Sequence, residues 1–284
     1  MTAEETKFKV SLVYLVPILA SMLFGLGCGW LLKPQQTQVI PVTPFPDDTT
    51  SGPFGNAIYF VILVAISATV FYFLLKRKNV KIVKGLIFLA MTTASMLLSL
   101  VYLSALLAYT PFYSDSIVIG LSILITVLFD LSIFKYTKAR NVVVIGLGGA
   151  LGVFFGFSIP LYSAIAILIF LAIYDVIAVY RGPVGKIAQS GLDQLSGLSY
   201  GFKDIQMGLG DLVFYSMLIG AMFFSFPSSI LPTLMSLVGI CAGAVITFFM
   251  LEKRGIFPGL PFPIVLGLAF GLITASIFLQ LPLF

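Results

Sequence analysis

The sequence predicts an all-α fold, a polytopic membrane protein of nine transmembrane helices. Three observations lead there. Apolar runs of about twenty residues recur along the whole length, each long enough to cross a bilayer as a helix. Of the 284 residues, 60% are hydrophobic and only 10% charged, with a mean hydropathy of +1.12, which excludes a water-soluble chain. The Lys and Arg residues sit in short clusters between the apolar runs. Despite a net charge of +5, they therefore read as topology signals and not as a nucleic-acid surface.

The elements follow in order. Residues 1–9 are polar, and Lys7 and Lys9 precede the first run, Val10 to Leu32. That run exceeds a signal-peptide core and no small-residue cleavage site follows it, so a retained first helix is expected. Residues 33–55 carry Pro41, Pro44, Pro46 and Pro53 with Asp47 and Asp48, a composition for an exposed loop. A second helix fits 56–75 and ends in Lys76-Arg77-Lys78. The third spans 85–109 and stops near Pro111, and the fourth covers 116–134. The fifth, 142–158, is short and rich in glycine (Gly146, Gly148, Gly149, Gly152, Gly156), which permits close helix contact. The sixth runs 160–180, the seventh 206–226, the eighth 229–250 and the ninth 257–282.

Segment 181–205 is a polar, glycine-rich connection, with at most a short interfacial helix around Lys186 to Leu195. It divides the chain into an N-terminal part, 1–180, and a C-terminal part, 206–284. With the N-terminus in the cytoplasm, fifteen of the sixteen Lys and Arg residues fall on the inner side and only Lys33 outside. This bias predicts an inward N-terminus and an outward C-terminus.

Two absences narrow the chemistry. The chain has no histidine, so a Ser-His pair, an HExxH zinc site and any imidazole base are excluded. Its two cysteines, Cys28 and Cys241, are far apart in apolar runs and read as packing residues rather than a disulfide or thiolate site. Neither a metal nor an organic cofactor is expected. Carboxylates remain, and three lie within apolar runs: Asp130, Asp175 and Asp211. A carboxylate is expensive to hold in hydrocarbon, so its default reading is a functional site with a nearby partner.

On the expected topology the sixth helix runs inward and the seventh outward. Asp175 lies six residues before Arg181, and Asp211 seven after Asp204. At about 1.5 Å per residue, both sit on the order of 10 Å below the cytoplasmic surface. Two carboxylates on neighbouring helices can share one proton, one acting as base and the other as acid. Phe257-Pro258-Gly259-Leu260-Pro261-Phe262-Pro263 enters the ninth helix at this level, where its prolines leave backbone groups without helical partners. Gly208 and Asp211 are expected on one helical face, with Gly208 allowing a neighbouring helix to come close. Tyr174 is placed either to donate a hydrogen bond or to pack. Asp130 is read as structural, since no glycine or tyrosine context accompanies it.

Tyr174-Asp175 resembles the YD motif, and Gly208-Leu209-Gly210-Asp211 the GxGD motif, of the presenilin and signal peptide peptidase family. Pro258-Gly259-Leu260-Pro261 resembles its PALP element, with glycine in place of alanine. The three occur in family order on a nine-span architecture; the motif similarity covers mainly residues 160–284. The resemblance implies an intramembrane aspartyl protease with Asp175 and Asp211 as catalytic pair. Tyr174, Gly208, Leu209, Gly210 and the Pro258–Pro261 element would then lie along the substrate. It implies single-span membrane proteins or leftover signal peptides as substrates, within the lipid bilayer, and leaves a homo-oligomer open. The inward N-terminus fits the presenilin orientation. The compact length, and the absence of a long loop between the acids, point to a microbial, archaeal single-chain relative. The rival reading is a proton-coupled transporter or channel using the same acids, weakened by the lack of an internal repeat. A third is a catalytically silent binding or chaperone-like membrane protein.

Overall fold

The computed structural model describes residues 10–34, 42–49, 51–77, 80–111, 113–135, 137–181, 199–202 and 205–279. Nine α-helices occur among them: α1 (Leu15–Leu32), α2 (Gly52–Lys76), α3 (Val80–Leu107), α4 (Asp115–Lys135), α5 (Thr137–Ser158), α6 (Leu161–Tyr180), α7 (Leu209–Ser225), α8 (Leu231–Arg254) and α9 (Pro261–Leu279). A 3-10 turn, Leu12–Tyr14, leads into α1. Eight of these helices are long and apolar enough to cross a membrane; α7 falls short. The chain is an integral, multi-pass membrane protein.

The apolar runs form the expected helices, with instructive shifts at their ends. Helix α3 begins at Val80 rather than near 85, and α5 begins at Thr137, so it is not short. Lys76, Lys81, Lys84, Lys135, Lys138 and Arg140 of the expected basic turns fall within helix ends, because Lys and Arg are good helix formers. A larger difference concerns the seventh span. Residues 205–208 are not its first turn but strand β2 (Ile205–Gly208), paired antiparallel with β1 (Ser199–Phe202), Ser199 opposite Gly208. The hairpin is a small exception in an otherwise α-helical fold. The interfacial helix expected over Lys186 to Leu195 lies outside the described residues.

Helix α7 is the centre of the bundle. Thirteen of its seventeen residues are buried, so it is apolar on every side, as a helix enclosed by others must be. It packs against α1, α5, α6, α8 and α9. The α5 contact depends on glycine: β-carbons built on Gly152 and Gly156 would run into the α7 backbone, and one on Gly149 into that of α1. Close approach through small residues is how helices gain van der Waals contact where lipid removes the hydrophobic drive. Hydroxyls supplement it. Ser21 on α1 donates to the Ile145 carbonyl of α5 at 2.9 Å, and Ser236 on α8 to that of Gly267 on α9 at 2.7 Å.

Helix α6 packs chiefly on α2, and residues 42–49 fasten the pair at the end away from Arg181. Asn56, fully buried, accepts from the Phe45 N–H (3.0 Å) and donates to the Phe45 carbonyl (2.9 Å) and to Ser163 Oγ (2.8 Å). Ser163 Oγ in turn donates to Asp47. Residues 42–49 are mostly exposed, as their composition indicates, and these hydrogen bonds tie them to α2 and α6.

Candidate active site

Three chain breaks converge on one level of the bundle. The first is the end of α6, which holds Asp175 one and a half turns before Tyr180. The second is the passage from β2 into α7. Gly208 is the extended residue before that helix (φ −72°, ψ 145°), and Asp211 occupies the helix's first turn. Gly208 and Asp211 therefore do not share a helical face. Nor does Gly208 bring a helix close, since a β-carbon there would meet nothing nearer than Gly210 N at 3.9 Å. Gly208 and Gly210 are exposed, whereas Leu209 is buried and turned toward Gly148 of α5.

The third break joins α8 to α9. Gly255 closes α8 at φ +74°, in the left-handed region that glycine enters without steric penalty. Residues 256–260 are non-helical, with Phe257 and Phe262 stacked at 5.7 Å across them. Helix α9 starts at Pro261, whose missing N–H and preset φ suit a first helical position. Pro263 removes a further N–H that the first turn could not have bonded. Proline thus limits unpaired donors at membrane depth.

The N–H that remains at Leu260 donates to Asp175 Oδ2 at 3.0 Å. On its other side, Gly259 abuts the second acid: a β-carbon built on it would lie 2.9 Å from Asp211 Oδ2. Consecutive residues of one loop therefore meet the two carboxylates, Leu260 at Asp175 and Gly259 at Asp211. Both acids stay partly accessible, and Tyr174 is half-buried beside them. Pro258 and Leu260 are buried, and Gly259 and Pro261 half-buried. Sequence reasoning overlooked Tyr215, which donates from its hydroxyl to the Gly259 carbonyl at 2.8 Å. The available signal was a tyrosine four residues after Asp211, hence on the same face of α7.

Asp130 is elsewhere. It accepts from Thr92 Oγ1 at 2.8 Å across α3 and α4, and neither helix carries a catalytic candidate. Among the described residues no group of three or more His, Cys, Asp or Glu could hold a metal. A groove of about 560 Å³ lined by Asp47, Asp48, Phe54, Tyr162 and Phe170 opens at the opposite end of α6. Its lining runs along α6 from Tyr162 to Phe170 and includes neither Asp175 nor Asp211.

Membrane helices that bring two carboxylates together beside irregular backbone define the class of intramembrane aspartyl proteases. The family model described as signal-peptide peptidase, presenilin aspartyl protease matches residues 46–190, just over half of the 284. The chain belongs to that family and is an aspartic endopeptidase. The matched region includes Tyr174-Asp175 but ends before Gly208, so it extends over the first half, where only topology was expected to correspond. A structure of a presenilin family intramembrane aspartate protease in the C222 space group is similar, with a TM-score of 0.66 at 20% identity. That likeness covers 94% of this chain and 100% of the other. A second such structure, in the P2 space group, gives 0.64 at 19% identity, over 95% and 99% of the two chains. No curated protein matches. Nothing in these comparisons supports the transporter reading.

Proposed function

We propose that Asp175 and Asp211 are the catalytic pair, hydrolysing peptide bonds in transmembrane segments or leftover signal peptides without a covalent intermediate. The observation that carries this is the single loop that meets both acids: the Leu260 N–H donates to Asp175, and Gly259 lies so near Asp211 that a β-carbon there would overlap it. One ionised aspartate takes a proton from a water held between the pair, and the resulting hydroxide equivalent adds to the scissile carbonyl carbon. The protonated partner donates to the carbonyl oxygen, giving a neutral gem-diol. Collapse then expels the amine, which collects a proton from the acid that had gained one, while a gem-diol hydroxyl returns its proton to the partner aspartate, leaving a carboxylic acid and the pair in its starting state. The two carboxylates titrate as one unit.

A helical substrate hides its scissile amide in its own hydrogen bonds and has to unwind. The hairpin running into Gly208 and the non-helical residues 256–260 support added-strand pairing with the unwound segment. Gly208 and Gly210 leave room for that backbone, Tyr174 borders it, and Leu209, Pro258, Leu260 and Pro261 shape its walls. The acids belong to two parts of the chain, 1–180 and 206–284, linked through 181–205. The charge bias supports a cytoplasmic N-terminus and an outer C-terminus. Single-span membrane proteins are the expected partners, and a homo-oligomer is compatible with the lipid-facing helices.

The test is cleavage of a fluorogenic transmembrane peptide by purified protein, beside Asp175→Ala and Asp211→Ala. Loss in both variants, with inhibition of the wild type by a transition-state analogue of aspartic proteases, is the expected result. Unchanged turnover in either variant overturns the assignment.

A further inference from the structure

We propose that Tyr215 is a positioning residue, orienting Asp175 from the helix that carries Asp211; this rests on the reading of the two acids as the catalytic pair. Tyr215 lies one turn beyond Asp211 on α7, with 1% of its surface exposed. Its hydroxyl donates to the Gly259 carbonyl at 2.8 Å. That carbonyl and the Leu260 N–H are the two ends of one peptide unit. The unit is rigid and planar, and the peptide is trans, so the two groups point in opposite directions. Fixing the carbonyl toward α7 therefore fixes the N–H toward α6, where it meets Asp175 Oδ2 at 3.0 Å.

The result is a two-bond relay: Tyr215 hydroxyl, Gly259–Leu260 peptide, Asp175 carboxylate. It joins the two acid-bearing helices through a third segment, and neighbouring bonds in such a chain polarise one another. The relay also explains why a phenol occupies the interior of an apolar helix. Without a donor, the Gly259 carbonyl would be left unsatisfied at membrane depth. Rotation of that peptide would withdraw the Leu260 N–H from Asp175. It would also move Gly259 relative to Asp211, which it touches.

Tyr215→Phe keeps the ring and deletes the donor. Turnover is measured on purified protein with the fluorogenic transmembrane peptide, per active site titrated with a transition-state analogue, so inactive protein does not count. The relay predicts a fall in kcat of about tenfold or more, KM within about twofold, and a displaced pH–rate profile. A p-aminophenylalanine at position 215 restores an N–H donor and is expected to recover most of the turnover. Tyr102→Phe is the control, because Tyr102 likewise donates to a backbone carbonyl between helices, that of Ala150 at 2.7 Å, from α3 to α5. It should change stability but neither kcat per site nor the pH profile. Wild-type turnover with an unshifted profile in Tyr215→Phe, or no recovery with the amino side chain, overturns the relay. Inactive Asp175→Ala and Asp211→Ala beside a wild-type-like Tyr215→Phe would sink the relay alone. Active aspartate variants would sink the catalytic assignment beneath it.

Discussion

Gly259→Ala isolates the geometry of the acid pair from the stability of the fold. A β-carbon at this position lies 2.9 Å from Asp211 Oδ2, 3.1 Å from Cγ and 3.2 Å from Oδ1. All three atoms belong to one side chain, so the overlap is relieved by turning Asp211 or by backing the loop away. Restoring ordinary van der Waals separation needs a shift of about 0.5 Å. An off-rotamer carboxylate costs about 1 kcal/mol, so the folded protein should persist with little change in Tm. Catalysis is far less tolerant, since a misplacement of about 1 Å can lower the rate by about a hundredfold. Half that displacement predicts roughly a tenfold loss of kcat. The assay is turnover per titrated active site, with thermal unfolding in the same detergent. Unchanged turnover per site would refute the contact.

Two further perturbations separate scaffold from site. Asp130→Asn retains an oxygen that can accept from Thr92 Oγ1, now 2.8 Å from the carboxylate, and should keep turnover within about twofold of wild type; a loss as deep as that at Asp175 would make Asp130 a third site acid. Gly156→Ala places a carbon 2.6 Å from both the Gly220 carbonyl carbon and the Met217 oxygen, backbone atoms of α7 that cannot rotate away. It should destabilise by about 1–3 kcal/mol in thermal unfolding, whereas Gly27→Ala, with nothing within 4 Å, should be neutral. Equal Tm values for these two variants would contradict the close α5–α7 packing.

Helix number was legible because a bilayer imposes one rule on every span: about twenty apolar residues, with every backbone group bonded inside the segment. Glycine spacing in α5 disclosed tight packing for a similar reason, since little else brings backbones together in lipid. Asp175 and Asp211 stood out because a carboxylate in an apolar run demands explanation. Where the rule is broken, the sequence became ambiguous. Ile205-Gln206-Met207 is as compatible with a helix start as with a strand, and only pairing with Ser199–Phe202 decides for the strand. Tyr215 was unreadable as a site residue because its partner is a carbonyl forty-four positions away, and backbone acceptors leave no mark in sequence. The tie between Asn56 and Ser163 was hidden likewise, being a tertiary contact between residues that are individually ordinary.

The brevity of α7 follows from the same chemistry. Seventeen residues make a helix of about 25 Å, shorter than the roughly 30 Å hydrocarbon layer. The hairpin runs directly into the helix, so α7 begins only at Leu209 and carries Asp211 in its first turn. A longer, regular α7 would have bonded that backbone within itself and closed the space beside the acid. Helix α9 is delayed to Pro261 with a similar effect, leaving the Leu260 N–H free to turn toward Asp175. Irregular backbone survives at this level only where protein encloses it or water enters. Hydrolysis of a membrane-buried peptide needs both conditions: an enclosing wall with unspent hydrogen-bonding groups for the unwound substrate, and water between two carboxylates.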